Sequence, residues 1–151
     1  GGPVRVKVGQ MKPGDQLTVI WRGRPVWIIR RNKEALESLS GLSSLLRDPN
    51  SKIDQQPEYA RNIYRSRKPE FLVLVGVCTH LGCSPTYRPD PKSIDINWPG
   101  GFFCSCHGSK FDLAGRVYKG VPAPVNLEVP PYVFVSDDEI LIGSDKIVKT
   151  A

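Results

Sequence analysis

Long hydrophobic runs are absent from this sequence: the longest apolar stretch, residues 71–78, has eight residues. A helix that crosses a bilayer needs about 20 apolar residues, so the printed chain predicts no membrane span. It begins Gly1-Gly2-Pro3 rather than with a basic segment followed by an apolar one, so no signal peptide is predicted and we expect a trimmed or recombinant fragment. Its 40% hydrophobic and 24% charged residues exclude a disordered tail and a collagen-like fibre.

Histidine and cysteine are scarce, and their distribution is uneven. The chain has two His and four Cys, and all six lie between Cys78 and His107. A core cysteine or a structural histidine would be expected anywhere in the sequence. Because these residues are the soft metal ligands of proteins, their concentration in one segment predicts a metal site there.

Glycine and proline, in contrast, are abundant, with fourteen of each among 151 residues. This composition favours a turn-rich β protein over a helical bundle, and the length suits a single domain. Alternating or uniformly apolar runs predict strands and hairpins. These runs are residues 4–8, 17–21, 25–29, 71–77, 132–135 and 140–142.

One segment has helical periodicity. Asn32 is a candidate N-cap for a leucine-rich helix that Gly41 weakens. Its leucines are Leu36, Leu39, Leu42, Leu45 and Leu46. Residues 48–69 contain three prolines and predict a loop with a helical turn after Pro57.

The net charge of +6 raises the question of nucleic-acid binding. The densest basic segment, residues 61–68, contains three arginines and one lysine, and only Tyr59 and Tyr64 accompany it. Nucleic-acid surfaces usually interleave more aromatic side chains with their basic residues. We therefore predict a solvated basic face and no nucleic-acid partner.

Two short motifs carry the chemistry. The first is Cys78-Thr79-His80-Leu81-Gly82-Cys83, and the second is Cys104-Ser105-Cys106-His107-Gly108-Ser109. Each motif supplies two cysteines and one histidine, which makes six candidates where a tetrahedral ion needs four ligands. One cysteine of each motif can join the two loops covalently while the remaining Cys and His hold metal.

Other interpretations of the same residues remain open. The ligand order is wrong for a Cys-Cys-His-His zinc finger, although a structural zinc of another type is possible. Two disulfides with idle histidines would not explain why His neighbours Cys twice. A catalytic Cys–His dyad needs one nucleophile rather than four thiols.

The two motifs, C-x-H-x-G-C and C-x-C-H-G-S, resemble those of Rieske proteins, which hold a [2Fe–2S] cluster with two His in place of two Cys on one iron. The resemblance implies that Cys78 and Cys104 bind one iron and that His80 and His107 bind the other. It also implies a disulfide between Cys83 and Cys106.

The resemblance extends beyond these motifs. Residues 84–86, 100–103 and 126–132 are similar to segments of the iron–sulfur subunit of bacterial cytochrome bc complexes. Residues 121–124, Val-Pro-Ala-Pro, resemble the proline loop that covers the cluster in that family.

The family also implies roles around the cluster. Leu81 and Pro122 would shield it, and Gly108 would let the backbone approach it. The Ser109 hydroxyl would donate to a bridging sulfide. Phe111 stands where some members have a tyrosine that donates to a ligand sulfur; because phenylalanine cannot donate, this position argues against a high reduction potential.

The function that the resemblance implies is electron transfer. His107 would contact ubiquinol at cytochrome b, accept an electron and a proton, and the electron would pass to a c-type cytochrome subunit. The runner-up is the Rieske subunit of an arsenite-oxidase-type enzyme; a soluble Rieske ferredoxin for an oxygenase is disfavoured because such ferredoxins lack the second cysteine pair.

The resemblance also implies a location and a fold. A membrane anchor would lie before Gly1, with the head on the periplasmic side of a bacterial inner membrane, and the isolated head would not turn over quinol. We expect an all-β, antiparallel Rieske-type base fold, residues 1–77 and 125–151, with a short helix and loop insertion. A small cluster-binding subdomain, residues 78–124, would be inserted into it.

Overall fold

The computed structural model describes residues 1–147, so residues 148–151 of the predicted base fold lie outside the described part. The described chain is mostly antiparallel β-structure, as predicted, with one α-helix. The strands are β1 (Val4–Lys7), β2 (Gln16–Trp21), β3 (Arg24–Arg30), β4 (Phe71–Val75), β5 (Thr86–Arg88), β6 (Gly101–Cys104), β7 (Ser109–Asp112), β8 (Tyr132–Ser136) and β9 (Glu139–Ile142). The helix is α1 (Lys33–Ser38), and single 3-10 turns cover Leu39–Gly41, Ser43–Leu45 and Glu58–Ala60.

The nine strands form three antiparallel sheets of three strands each, in the orders β1-β9-β8, β2-β3-β4 and β5-β6-β7. The predicted apolar runs 17–21 and 25–29 form the hairpin of β2 and β3, and the runs 132–135 and 140–142 form the hairpin of β8 and β9. The third sheet lies entirely between residues 86 and 112. No helix among residues 1–147 has the length and apolar character to cross a bilayer.

Strand β4 leads directly into the first metal-ligand motif, and its five residues are all buried. Trp27 lies on β3, the strand paired with β4, and it stacks on Phe102 of β6 with ring centroids 5.0 Å apart. This contact packs the β2-β3-β4 sheet against the β5-β6-β7 sheet. At Gly76 a Cβ atom would lie 2.3 Å from Cε2 of Trp27, closer than any real contact. Glycine is therefore needed where the chain passes this indole on its way to Cys78.

The leucine-rich helix is shorter than the sequence predicts. Asn32 caps α1 as expected, because its Oδ1 accepts from the Ala35 amide at 2.8 Å. Beyond residue 38 the chain continues as two 3-10 turns. Ser38 donates to the Ala35 carbonyl at 2.7 Å, and serine hydroxyls of this kind compete with helical hydrogen bonding, as does the nearby Gly41.

The prediction of a solvated basic face over residues 61–68 is wrong. Arg65 is fully buried, and Arg67 is half-buried with its guanidinium carbon 3.4 Å from the centroid of Tyr59. Arg61 is the basic residue of this segment that remains exposed. The sequence could not show this, because the carbonyls that accept from Arg65 lie some fifty residues further along the chain.

Three buried arginines form hydrogen bonds or ion pairs with the turn that follows β7. Arg116 pairs with Asp112 (Nε to Oδ2, 2.7 Å), Arg31 donates to the Leu113 carbonyl at 2.8 Å, and Arg65 donates to the Ala114 carbonyl at 3.1 Å. Burial lowers the pKa of Arg31 and of Arg65 to about 10, so both stay charged at neutral pH. The turn that joins β7 to the proline loop is thereby fixed to the base fold.

Candidate metal centre

The two motifs fold into similar turns. In the first, the Gly82 amide donates to the Cys78 carbonyl at 3.0 Å; in the second, the Gly108 amide donates to the Cys104 carbonyl at 2.9 Å. Both glycines have positive φ, 85° and 82°, a conformation that residues with a Cβ rarely adopt. The same local geometry therefore presents two Cys and one His from each loop.

The structure divides the four cysteines as the resemblance implies. Cys83 and Cys106 form a disulfide with Cα atoms 6.6 Å apart, which confirms the predicted pairing. Cys78 and Cys104 are free thiols and are 3% and 2% exposed. The Sγ atoms of Cys83, Cys104 and Cys106 lie within 4.8 Å of one another, but the disulfide leaves only Cys104 of these three able to bind metal.

The two free thiols lie side by side. Burial raises the pKa of the Cys104 thiol and its neighbour Cys78 raises it further, whereas the backbone amides of Cys106 and His107 donate toward its sulfur and lower it. A bound metal favours the thiolate form of such a pair. The two amides are placed to hydrogen-bond that thiolate.

The two imidazoles lie against each other, with ring centroids 4.8 Å apart and planes at 85°. Nδ1 of His80 is buried and has no hydrogen-bond partner within the described part of the chain, an arrangement that is costly unless the atom binds something. His80 is half-buried and His107 is exposed, so the imidazoles lie toward solvent and the thiols toward the core. Two thiols, two imidazoles and an unpartnered ring nitrogen fit the donor set of a Rieske cluster.

The proline loop, residues 121–124, is joined to the second motif by Ser109. The buried Ser109 hydroxyl accepts from the Ala123 amide at 3.0 Å, fourteen residues away. Because the amide occupies one lone pair of the oxygen, the hydroxyl proton remains free to donate. Ser109 therefore holds the proline loop against the site.

The other predicted site residues differ in exposure to solvent. Leu81 is 69% exposed, and Pro122 is exposed as well. Phe111 is fully buried in the same core as Cys78 and Cys104, and it shares a face of β7 with Ser109 because the two are separated by one residue. Gly108 lies in the turn described above.

Two contacts at the site were not predicted. Thr79 donates from Oγ1 to the Val125 carbonyl at 2.6 Å, which fastens the first motif to the chain that leaves the proline loop. Arg47 donates from Nη2 to the Val121 carbonyl at 2.6 Å. The position of the Thr79 hydroxyl between two candidate ligands could have predicted a hydrogen bond at the site. No residue near Arg47 in the sequence predicted its contact with the proline loop.

Comparison with known proteins agrees with this geometry. A model of the Rieske [2Fe–2S] domain matches residues 49–132, more than half of the chain. The ubiquinol–cytochrome c reductase iron–sulfur subunit of Allochromatium vinosum is 53% identical over 97% of this chain and 72% of its own length. The mitochondrial cytochrome b-c1 complex subunit Rieske-1 of Arabidopsis thaliana is 43% identical over 93% of this chain and 45% of its own length.

A solved structure supports the fold assignment. A chain of a hyperthermophilic respiratory Complex III superimposes with a TM-score of 0.56 at 24% identity, covering 90% of this chain and 71% of that chain. This likeness extends to the base fold, beyond the residues matched by the domain model. The chain therefore belongs to the Rieske [2Fe–2S] family.

Proposed function

We propose that this chain is the electron-carrying head of a bacterial ubiquinol–cytochrome c reductase. It accepts an electron and a proton from ubiquinol at the cytochrome b subunit and delivers the electron to the c-type cytochrome subunit. The full-length protein is held at the inner membrane by an N-terminal anchor, with the head on the periplasmic side. The Cys83–Cys106 disulfide supports an oxidising compartment. The isolated head turns over no quinol, because it lacks the cytochrome b site.

The roles of the site residues follow from their placement. Cys78 and Cys104 would hold one iron, and His80 and His107 would hold the other; the thiols are buried, whereas His80 is half-buried and His107 is exposed. The cluster supplies one-electron redox chemistry when bound. The exposed imidazole of His107 contacts the quinol, Leu81 and Pro122 shield the cluster, and the Ser109 hydroxyl would donate to a bridging sulfide. These residues lie in a cluster-binding subdomain, residues 78–124, that contains the whole third sheet.

The observation that carries this proposal is the exposure pattern. His107 and Leu81 are open to solvent, while both thiols are almost fully buried. A redox centre whose imidazole edge faces outward beside an exposed leucine is suited to receive electrons by docking. The second cysteine pair disfavours an oxygenase ferredoxin, and the extent of the sequence similarity disfavours an arsenite-oxidase-type subunit.

Leu81→Ala tests this function in the assembled reductase. We expect quinol-dependent reduction of the c-type cytochrome to fall about tenfold, because a buried apolar anchor at an interface contributes at least about 1.4 kcal/mol. The EPR spectrum should keep its Rieske form, and the midpoint potential is measured in parallel so that a rate change due to altered water access to the cluster is separated from lost docking. Ile20→Ala is the matched control, since Ile20 is 64% exposed on β2. Equal rates in both variants would contradict docking through this tip.

Phe111→Tyr tests how the site sets its potential. A hydroxyl near the Cys78 sulfur stabilises the reduced, more negative cluster more than the oxidised one. A differential of about 1–1.5 kcal/mol corresponds to about 40–65 mV in a one-electron couple. We expect an EPR-monitored titration to give a midpoint higher by that amount, and Ser109→Ala to lower it similarly.

Phe103→Tyr is the control for this substitution, because Phe103 alternates with Cys104 along β6 and faces the other side of the sheet. It should leave the midpoint unchanged. A potential that stays constant in Phe111→Tyr, with the new hydroxyl within hydrogen-bond distance of the Cys78 sulfur, would overturn the electrostatic argument.

A further inference from the structure

A cavity of about 380 Å³ opens beside the proline loop. It lies between residues 95–99 and residues 118–121, with Leu45 at its edge, and we refer to it as the flank cleft. Val121 of the proline loop is part of its wall. The cleft therefore borders the proline loop, whose exposed Pro122 belongs to the face through which the head is proposed to dock.

Part of the wall of the flank cleft is apolar and exposed. Ile96 is 78% exposed and Leu45 is 52% exposed, and both line the cavity. Trp98 is buried behind them and lies against Tyr118, with ring centroids 6.2 Å apart. Isolated exposed apolar residues are common on protein surfaces, but two on the rim of one aromatic-walled cleft indicate a surface that another molecule covers.

The hydroxyl of Tyr118 indicates that the molecule covering the cleft carries a hydrogen-bond acceptor. Its Oη is buried and has no hydrogen-bond partner among the described residues. Burial raises the pKa of this phenol well above its usual value, so the group is a neutral donor at physiological pH. An unsatisfied buried donor costs free energy, and an acceptor entering the cleft would remove that cost.

The charge around the cleft indicates the sign of the acceptor. Lys110 is paired with Asp95 at 2.9 Å, whereas Lys119 in the wall and Arg47 beside Val121 have no carboxylate partner among residues 1–147. Lys119 donates to the Ser44 carbonyl, so its ammonium is held at the cleft. A carboxylate fits this set, because it accepts from the phenol and pairs with the cations.

We propose that the flank cleft binds an acidic, apolar segment of the c-type cytochrome that receives the electron. A carboxylate of that segment accepts from Tyr118 and pairs with Lys119, and a neighbouring apolar side chain covers Ile96 and Leu45. This inference rests on the proposed function, and it adds a second contact that determines which cytochrome surface fits beside the cluster.

The test uses the reduced holoprotein and the soluble domain of the c-type cytochrome subunit from the same reductase as this chain. The second-order rate of cytochrome reduction is measured by stopped flow at low and high ionic strength. We expect Ile96→Ser and Tyr118→Phe each to lower the rate about three- to tenfold, the range of one lost hydrogen bond or apolar contact. Lys119→Gln should lower the rate at low salt and weaken its salt dependence.

Tyr118→Phe separates docking from structure. Removing an unsatisfied buried hydroxyl should raise the melting temperature of the holoprotein by about 2–4 °C, while the docking rate falls. The midpoint potential and EPR spectrum should stay unchanged in all three variants. Ile20→Ser and Lys33→Gln, at exposed positions of β2 and α1, are matched controls that should leave the rate unchanged.

Each outcome assigns the failure to one idea. If Leu81→Ala slows the reaction and the flank-cleft variants do not, the cleft inference is wrong and the proposed function stands. An effect of Lys119→Gln without effects of Tyr118→Phe and Ile96→Ser would indicate unspecific charge attraction and would also overturn it. If the unaltered holoprotein does not reduce the cytochrome, the proposed function and the cleft inference both fail.

Discussion

Replacing His80 or His107 by serine is expected to abolish the Rieske-type EPR signal of the reduced protein. Nδ1 of His80 is buried with no hydrogen-bond partner among residues 1–147, and the ring centroids of the two imidazoles lie 4.8 Å apart, which supports the proposal that both histidines are ligands. Serine supplies no soft donor for iron. We expect iron and sulfide analysis to show loss of the cluster, or a spectrum of a different type.

Cys83→Ser is the matched control for the ligand variants. It breaks the disulfide but leaves both free thiols and both imidazoles in place. A Rieske signal should therefore persist, with faster loss of the cluster because the two loops open more readily. On the chain-entropy model a disulfide closing a loop of this size contributes roughly 3–4 kcal/mol, and the cluster already closes almost the same loop, so the two contributions should not add.

Two results would contradict this division of the cysteines. One is a Rieske spectrum that survives in His80→Ser. The other is a Cys78–Cys104 disulfide found by mass spectrometry of unreduced peptides from the intact holoprotein.

Asp112→Asn is expected to be the most destabilising substitution outside the ligand set. The Asp112 carboxylate is fully buried, pairs with Arg116, and also faces the positive charges of Arg31 and Arg65. Removing one partner of a buried pair leaves an uncompensated charge and costs about 3–5 kcal/mol, a large part of a typical total stability of about 5–15 kcal/mol. Urea unfolding of the holoprotein, followed by circular dichroism, measures this loss.

The matched control is Glu139→Gln, which removes a surface pair with Arg5 at 2.9 Å. Exposed pairs contribute about 1 kcal/mol or less, so this variant should unfold close to the parent protein. Similar unfolding midpoints in Asp112→Asn and Glu139→Gln would show that the arginines around the turn after β7 do not depend on the buried carboxylate. Urea unfolding of Arg65→Met would then measure how much this buried arginine by itself contributes to the free energy of unfolding.

Local patterns in the sequence determined six of the nine described strands and the composition of the site, whereas β5, β6 and β7 of the third sheet were not predicted. The hairpin of β2 and β3 was predictable because apolar runs flank a short turn, and Asn32 was predictable as a cap because capping depends on residues three apart. The two cysteine and histidine motifs, residues 78–83 and 104–109, could be interpreted because each is a turn formed by residues close together in sequence. Each turn is closed by a glycine with positive φ within five residues of its first cysteine.

Tertiary structure decided what depends on residues distant in sequence. The thiols of Cys78 and Cys104 are buried while His107 is exposed. The sequences of the two motifs do not predict this difference in burial. The bond from Ala123 to Ser109 spans fourteen residues, and the bond from Arg65 to Ala114 spans 49. A basic run such as residues 61–68 resembles a solvated face until the carbonyls that accept from it are known, because burying a charge is favourable only where partners have already been assembled around it.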